Sequence, residues 1–473
     1  MSPKRKLQST LGIVVVCAVA LTGTIREAHG ADKKSPSVAT KTAPPKAAPA
    51  TKPGGTKPAA PGTLATRPDP GPHPAPATSR PSVYHPLPNI APQKLPGGRV
   101  QYHNPNGQTV TTDAGGKIRT IESSPGFAGK TVINRSARGG RTVVTGNPGA
   151  RTVSSGPGRG FVERAVLGRP GYISRTYVAN GRSYARVYRE FRYGNARYYG
   201  YVRGVFYSPR FYDWAVAPWD APVRYAWFGF TEPAPWFGFY AGYFSPYPMY
   251  PSADLWLTDY VIAQNMRSSY ENRPTDADPS VLPSSDLQSS TSELSPEMKA
   301  QIAAEVRQQI EVAKAATANS GQPAAALEQP PAALDPKVLA FVVSNPLDVT
   351  AGDQMCSLTG GDILMRTGNT PDANQSVPAL VTASKKSDCP IGTSVAVSVQ
   401  DLQEMHNQFQ EQLDSGLKML AANQVKGAPN VSASGAHPSS EGAADPASDA
   451  AAQLATQETN ASKLEADVRQ SAS

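Results

Sequence analysis

The chain has 473 residues, of which 40 are Gly and 46 are Pro, and 39% are hydrophobic. This composition excludes a chain that is packed throughout, because it has too little apolar surface to offset the entropy of ordering every segment. The net charge of +9 conceals an asymmetry, since residues 99–210 carry 19 Lys and Arg against 4 Asp and Glu, whereas residues 251–473 carry 13 against 27. The asymmetry predicts either an anionic partner for the basic half or an acidic half that folds back onto it.

Residues 1–30 have the pattern of a secretory signal peptide. Basic residues at 4–6 precede an apolar run at 11–21, and Ala28 and Gly30 place small side chains where a signal peptidase reads them. We therefore predict an exported protein that is periplasmic, surface-located or secreted. A retained membrane anchor is the alternative, although the apolar run is short for a bilayer span.

Residues 31–98 are rich in Pro, Ala and Lys, which predicts a disordered spacer. Residues 99–272 instead alternate short β-branched runs with turn dipeptides, which indicates a series of β-hairpins. Asn-Gly and Gly-Gly favour such turns because both central positions of a type I′ turn need a positive φ. The expected turns are Asn106-Gly107, Gly115-Gly116, Gly139-Gly140 and Asn180-Gly181.

Of the 36 Phe, Trp and Tyr residues in the chain, 29 lie between Tyr172 and Tyr260. Arg residues are interleaved with the first part of this segment, and alternation in strands would place Tyr on one face and Arg on the other. From Phe211 onward, Pro and Gly replace Arg. We expect most rings to pack into an aromatic platform that keeps a patch exposed. A helix capped by Ser252 follows the platform.

The exposed patch and the neighbouring Arg residues form our candidate surface for an anionic or carbohydrate polymer. Guanidinium groups pair with anions, and rings suit surfaces where one end is dry and the other wet. Nucleic acid would suit the same chemistry but does not fit an exported protein, whereas a membrane surface does. The predicted binding residues are Arg182, Arg186, Arg189, Arg192, Arg197, Tyr198, Trp227, Trp236, Tyr240 and Tyr243.

An amphipathic helix is predicted at 295–318, between polar linkers at 273–294 and 319–334. Ser295 fits the capping position and Pro296 fits the first helical position. An apolar stripe recurs every four residues and must pack against something, either the β-region of the same chain or a second copy. We favour the same chain. The stripe consists of Met298, Ile302, Val306 and Ile310.

Residues 335–424 predict a small α+β domain with short strands and one helix. Its segment Leu358–Leu364 resembles the turn-and-strand element of small SH3-like barrels. Ser398 and Asp401 predict the start of the helix. The apolar face of that helix comprises Leu402, Met405, Phe409, Leu413, Leu417 and Leu420.

Two cysteines remain if Cys17 leaves with the signal peptide. In an oxidising compartment, Cys356 and Cys389 predict a disulfide that closes the small domain. A zinc site is disfavoured because two thiols alone make a poor one. Two unpaired buried thiols are the alternative.

The predicted fold class is therefore mixed and largely disordered. It combines a β-hairpin-rich middle region, which carries the aromatic platform, with the small α+β domain of an SH3-like barrel and a helix. The tail at 425–473 is predicted to be disordered, apart from a helix near 462–469.

The sequence contains no recognisable catalytic or metal-binding pattern. Its six His residues lack metal-ligand spacing, and no nucleophile elbow, phosphate loop or paired catalytic carboxylates occur. We therefore predict a non-enzymatic protein without a metal or cofactor. His406 lies beside the apolar face of the last helix, which indicates a packing or helix-surface role, and Asp362 is predicted to be a turn acid.

Several segments resemble an uncharacterised group of exported proteins from soil bacteria of the acidobacterial type. They are Pro218-Trp219, Pro235–Pro248 and Leu255–Tyr260, and the element Asp401–Asn407 is similar as well. The likeness extends over most of the chain beyond residue 99. It implies export and no particular activity.

These observations predict adhesion to, or organisation of, an anionic or carbohydrate polymer of the cell envelope. The alternative is an extracytoplasmic scaffold. Such a scaffold would dock a protein partner, or another copy of itself, through the helix at 295–318 or through the C-terminal barrel.

We expect the mature chain to begin at Ala31, because signal peptidase cleaves after the small residue at position 30. N-terminal sequencing and intact-mass measurement of the protein from fractionated cells check this. A chain that starts at Met1 in the membrane fraction would support the retained anchor. An uncleaved chain in the cytosol would contradict export.

Overall fold

The computed structural model describes residues 83–123, 129–136, 141–179, 181–220, 222–224, 235–240, 242–271, 293–318, 328–352, 354–385, 389–422, 434–435 and 446–470. The predicted signal peptide and most of the predicted spacer lie outside these residues. The end of the spacer lies within them, where Val83 bridges to Lys117 and Gln93–Lys94 forms a strand. The prediction of disorder is therefore wrong for residues 83–98.

An antiparallel sheet of eleven strands occupies the middle of the chain, and each strand pairs with the next one along the sequence. The prediction of a series of β-hairpins is thereby confirmed. The strands are β1 (Gln93–Lys94), β2 (Val100–His103), β3 (Thr109–Thr112), β4 (Ile118–Glu122), β5 (Thr131–Arg135), β6 (Arg141–Asn147), β7 (Ala150–Gly156), β8 (Arg159–Ala165), β9 (Tyr172–Ala179), β10 (Arg182–Tyr193) and β11 (Ala196–Val202).

Glycines at the predicted turns have the backbone conformation that the turns require. Gly107, Gly116 and Gly181 have φ values of 80°, 77° and 70° and lie between consecutive strands. A side chain with a Cβ is strained in this region. The turns at Asn106-Gly107 and Gly115-Gly116 are therefore confirmed, and Gly181 occupies its predicted turn between β9 and β10. Asn180 and Gly139-Gly140 lie outside the described residues.

Helices follow the large sheet. The elements are β12 (Val205–Phe206), α1 (Pro209–Val216), β13 (Val223–Arg224), α2 (Pro235–Phe239), β14 (Met249–Tyr250), α3 (Ala253–Glu271) and α4 (Pro296–Ala318). α3 and α4 confirm the two helices predicted after Ser252 and at 295–318. The backbone N–H of Met298 donates to Ser295 Oγ at 3.3 Å, as expected for a capping residue.

A second antiparallel sheet has six strands in the spatial order β15-β18-β19-β20-β16-β17. Its strands are β15 (Ala340–Val342), β16 (Leu347–Ala351), β17 (Gln354–Leu358), β18 (Ile363–Arg366), β19 (Ser376–Ala383) and β20 (Ser394–Ser398), and α5 (Val399–Ala422) follows. The N–H of Asp401 donates to Ser398 Oγ at 3.0 Å, which confirms the predicted start of α5. The strands at the two ends of this order, β15 and β17, do not pair with each other, so the described strands do not show an SH3-like barrel.

The apolar stripe of α4 packs inside the chain. Ile302, Val306 and Ile310 are buried in a core to which α1, α3 and α5 also contribute. The intramolecular prediction is confirmed, although the stripe packs mainly on helices rather than on the large sheet. Gly416 lets α5 approach α3 closely, since a Cβ there would lie 2.6 Å from Leu257 Cδ2.

A final helix, α6 (Pro446–Gln470), follows the short strand β21 (Ser434–Gly435) and lies on the large sheet. The prediction of a disordered tail is wrong for 446–461, whereas the helix predicted near 462–469 is confirmed as the last part of α6. The helix has few apolar residues, and four aliphatic side chains of the sheet complete the core beneath Ala461 and Val468. These four are Val110, Ile121, Ile133 and Val143. Nearer its start, Ala450 and Leu454 pack on Val162 and Val178.

The predicted disulfide is present. The sulfur atoms of Cys356 in β17 and Cys389 before β20 are 2.07 Å apart. Among the helices that the structure describes, none combines the length and apolar character needed to cross a bilayer.

We expect the double substitution Cys356→Ser and Cys389→Ser to lower the free energy of unfolding by about 3–4 kcal/mol. The crosslink closes a loop in the unfolded chain and so lowers the entropy of that state. The sequence separation of the two cysteines is 33 residues. Urea denaturation of both proteins under oxidising conditions measures the effect. Equal unfolding midpoints would contradict a stabilising role.

Candidate functional site in the arginine- and tyrosine-rich strands

One face of β8, β9 and β10 carries a row of charged residues. Glu163, Arg175 and Arg186 lie directly opposite one another across the three strands. The next row on the same face is aromatic and contains Phe161, Tyr177 and Tyr184. Arg and Tyr therefore share a face. The predicted separation of Tyr and Arg onto opposite faces is wrong here, because Arg182, Tyr184, Arg186 and Tyr188 all occupy even-numbered positions of β10 and alternate residues of a strand share a face.

Arg175 is almost completely enclosed within this row, with 1% of its side chain exposed. Its guanidinium donates two hydrogen bonds of 2.7 Å to Glu404 of α5 and one of 2.8 Å to Glu163. It also lies over the rings of Tyr188, at 4.1 Å, and Phe161, at 4.9 Å. Burial opposes its charge, but Glu404 and the neighbouring groups raise the pKa of Arg175 above its ordinary value.

Glu411, two turns after Glu404 on α5, faces the same charged row. It accepts a hydrogen bond from the Tyr188 hydroxyl, which lies 2.7 Å from the Tyr177 hydroxyl. The Arg186 guanidinium is 3.8 Å away. Burial raises the pKa of Glu411 to about 7, although Tyr188 and the two arginines favour its charged form. This carboxyl therefore titrates close to neutral pH.

The acids of α5 occupy one side of the helix. Glu404, Glu411 and Asp414 are separated by seven and three residues, which places them on a common face. Asp414 forms an ion pair with Arg203, just after β11. We did not predict these partners from the sequence. Their signal was the acidic spacing beside the apolar stripe of α5.

α6 neutralises a second set of arginines on the large sheet. Ion pairs join Glu465 to Arg135 and Arg141, Glu458 to Arg141, and Asp449 to Arg164. The acidic half of the chain therefore folds back onto the basic half, which was one of the two alternatives that the charge asymmetry predicted.

The rings predicted to bind polymer are buried. Tyr198 packs in the core of the small domain, whereas Trp236, Tyr240 and Tyr243 lie in the helical core. The structure does not bring these four rings together on a surface, so the prediction is wrong for them. Trp227 lies outside the described residues.

The predicted arginines all lie on β10 and β11. Arg182, Arg192 and Arg197 are exposed, and Arg186 and Arg189 are partly buried. Their strands bring them together as a group at one edge of the large sheet. Neighbouring positions along a strand nevertheless alternate between its two faces.

The β10–β11 hairpin carries a concentrated positive charge at its turn. Arg192 and Arg197 lie directly opposite each other, and their side chains are 57% and 54% exposed. Each guanidinium lies 3.6 Å from Glu190, which is the carboxylate that they share. Like charges placed directly opposite destabilise a strand pair, so this arrangement favours an additional anion.

A surface cavity of about 390 Å³ lies elsewhere, beside the first turn of α4. Its buried residue Lys299 donates to the Ser245 carbonyl at 2.7 Å and lies 2.7 Å from Asp259. The ammonium is also 3.9 Å from the centre of the Tyr247 ring. The Lys299 ammonium is therefore already paired with groups of the protein itself.

Histidine and carboxylate positions give no metal centre in the part of the chain that the structure describes, where no three His, Cys, Asp or Glu side chains are grouped to hold an ion. His406 is buried on α5, which confirms its predicted packing role. Burial lowers the pKa of His406 to about 4.

Comparisons of the chain with protein-family models, with curated protein sequences and with solved structures found no match.

We expect Glu411→Gln to remove a pH dependence of stability. The pKa of Glu411 is about 7 in the folded protein and 4.5 ordinarily. Between these values the folded state binds more protons than the unfolded state, so wild-type stability falls as the pH rises through this window. The variant should be about 1–3 kcal/mol more stable than the wild type at pH 8 and unchanged at acidic pH.

Urea denaturation over a pH series measures this difference. Glu311→Gln, which replaces an exposed acid of α4, is the matched control and should keep the wild-type profile. If the free energy of unfolding of Glu411→Gln parallels that of the wild type at every pH, the raised pKa of Glu411 is contradicted.

Proposed function

We propose that this chain is an exported, non-enzymatic protein of the cell envelope that binds an anionic polymer. The contact surface is the turn region of the β10–β11 hairpin, with Arg192 and Arg197 as its centre. The ligand chemistry is a chain of repeated carboxylate or phosphate groups, because guanidinium groups pair with both in a bidentate manner.

The observation that carries this proposal is the pair of exposed arginines that share one carboxylate. Elsewhere on the sheet, Arg135, Arg141, Arg164 and Arg175 have acidic partners from α5 or α6. The two acidic helices therefore leave a local positive charge at this hairpin. A polyanion gains from several such contacts at once, and salt weakens each of them.

Sugar stacking contributes less to this proposal than the sequence predicted. Four of the predicted rings are buried, whereas Tyr184 on β10 is 44% exposed. Charge rather than ring stacking is therefore the basis of recognition. A membrane surface with anionic headgroups presents similar chemistry and is the second ligand source to test.

The disulfide supports the proposed location. Disulfides persist in oxidising compartments and are rare in the cytosol. Export remains a prediction that the fractionation experiment tests, and the resemblance to exported proteins of acidobacterial type also remains a prediction.

The alternative scaffold function loses one of its two docking elements. Ile302, Val306 and Ile310 of α4 are buried within the chain, so this stripe is not exposed to a partner. Docking through the small domain stays a prediction.

We expect Arg192→Gln with Arg197→Gln to weaken binding to polygalacturonate beads about tenfold, because exposed ion pairs contribute up to about 1 kcal/mol each. The assay measures retention of the mature protein across a salt series, with neutral dextran beads and anionic lipid vesicles run in parallel. Retention should fall as salt rises.

The double variant Arg119→Gln with Arg164→Gln is the matched control. It removes the same net charge from arginines that are paired with Asp113 and Asp449. Equal loss in both double variants would show an effect of net charge alone. No retention of the wild type on any anionic probe at low salt would overturn the proposal.

A further inference from the structure

Strand β10 extends beyond its neighbour on one side. All of β10 from Arg182 to Arg189 pairs with β9, but β11 pairs only with residues Val187–Tyr193. Residues 182–186 therefore form an edge of the sheet on the β11 side. Ser183, Tyr184 and Ala185 are exposed.

The register determines which backbone groups face this edge. The turn that joins β9 to β10 has two residues, and the N–H of Glu190 donates to the Gly171 carbonyl at 2.7 Å. Even-numbered residues of β10 therefore exchange hydrogen bonds with β9, and odd-numbered residues face β11. Beyond the last β11 pair, the N–H and carbonyl groups of Ser183 and Ala185 point outward.

The neighbouring edge of β11 is treated differently. The side chain of Asn407 on α5 accepts from the Tyr201 N–H at 3.0 Å and donates to the Tyr199 carbonyl at 2.7 Å. One amide thus replaces a missing strand. Among the described residues, the outward groups of Ser183 and Ala185 have one hydrogen bond, which Arg186 Nη1 donates to the Ala185 carbonyl at 3.3 Å.

We infer that this edge binds an extended acidic peptide of a partner protein as an additional strand. The peptide would continue the line of β11 and bond to the outward groups of Ser183 and Ala185. Its side chains opposite Arg182 and Arg186 would be acidic, and the one opposite Tyr184 would be apolar. The recognised pattern is Glu-x-apolar-x-Glu.

Charge selects this occupant over a second copy of the chain. If two copies paired antiparallel with Ser183 of one opposite Ala185 of the other, Arg182 would lie opposite Arg186 of the other copy. Like charges opposite each other destabilise a strand pair. Charged side chains at an edge also prevent aggregation. The same two arginines thus exclude self-pairing and attract an acidic strand.

The probe is the fluorescein-labelled peptide Glu-Thr-Val-Thr-Glu with blocked ends, titrated against the mature protein at low salt and followed by fluorescence anisotropy. Two peptides serve as controls. Glu-Pro-Val-Pro-Glu keeps the charges but lacks the N–H groups that would pair with β10, and Lys-Thr-Val-Thr-Lys reverses the charges. We expect a dissociation constant on the order of a millimolar for the first peptide and no saturable binding of the controls.

Ala185→Pro removes the outward N–H and leaves the hydrogen bonds to β9 in place, as edge strands tolerate. We expect it to weaken binding of the probe at least about fivefold, while Ala185→Val, which keeps the N–H, retains binding. Circular dichroism verifies that both variants fold. Hydrogen–deuterium exchange of the wild type supplies a measurement that needs no variant, because the peptide should protect the amides of Ser183 and Ala185.

Arg192→Gln with Arg197→Gln separates this site from the proposed polymer surface, and should leave peptide binding within about twofold. Three results would each overturn the inference. They are equal binding of the proline-containing peptide, absence of protection at Ser183 and Ala185 at saturating peptide, and no binding of the probe at low salt. None of these results depends on whether the polymer is bound.

Discussion

The arrangement of the charged strands depends on the ion pairs of the buried Arg175 with Glu163 and Glu404. Arg175 is enclosed between Glu163 of the large sheet and Glu404 of α5, and its guanidinium forms hydrogen bonds with both. Taking a charge out of water costs several kcal/mol unless partners compensate for it. The sheet supplies one carboxylate and α5 supplies the other, so neither element satisfies this arginine alone. These hydrogen bonds fix the position of α5 relative to β8 and β9.

On both faces of the sheet, acidic residues of a covering helix pair with arginines of the strands. Glu163 faces α5, while its neighbour Val162 faces α6, because successive side chains of a strand alternate. Each helix brings acids to the arginines on its own face. Positive charge is neutralised where a helix covers the sheet and persists at the β10–β11 turn and at the exposed Arg182 on the edge of β10, where the partly exposed Arg186 lies 3.8 Å from Glu411 of α5. The two proposed binding surfaces lie at these uncovered positions.

Aromatic rings have a structural role in this chain. Leu, Ile and Val are scarce between Tyr172 and Tyr260, and buried rings such as Phe211, Tyr212 and Tyr243 fill the helical core instead. Ring pairs contribute beyond their buried area, and buried hydroxyls need partners. Tyr243 donates to the Gly361 carbonyl at 2.7 Å, which links the helical core to the small sheet. The described rings of the aromatic segment thus contribute to the cores of the fold.

Local patterns in the sequence determined the turns, the caps and the apolar faces, because they depend on neighbours within a few residues. Gly107, Gly181, Ser295 and Ser398 are in their predicted roles, and the stripes of α4 and α5 are buried as expected.

Tertiary structure alone decided which charges meet and which rings remain exposed. Glu404 and Arg175 are 229 residues apart, and Glu465 and Arg135 are 330 apart, so no local pattern could pair them. Only the part near 462–469 of the helix at 446–470 was predicted, because the helix has few apolar residues of its own. It is stable where the aliphatic row of the sheet completes its core. Burial and long-range ion pairing are properties of the assembled chain, and they separated the arginines available to a ligand from those already occupied.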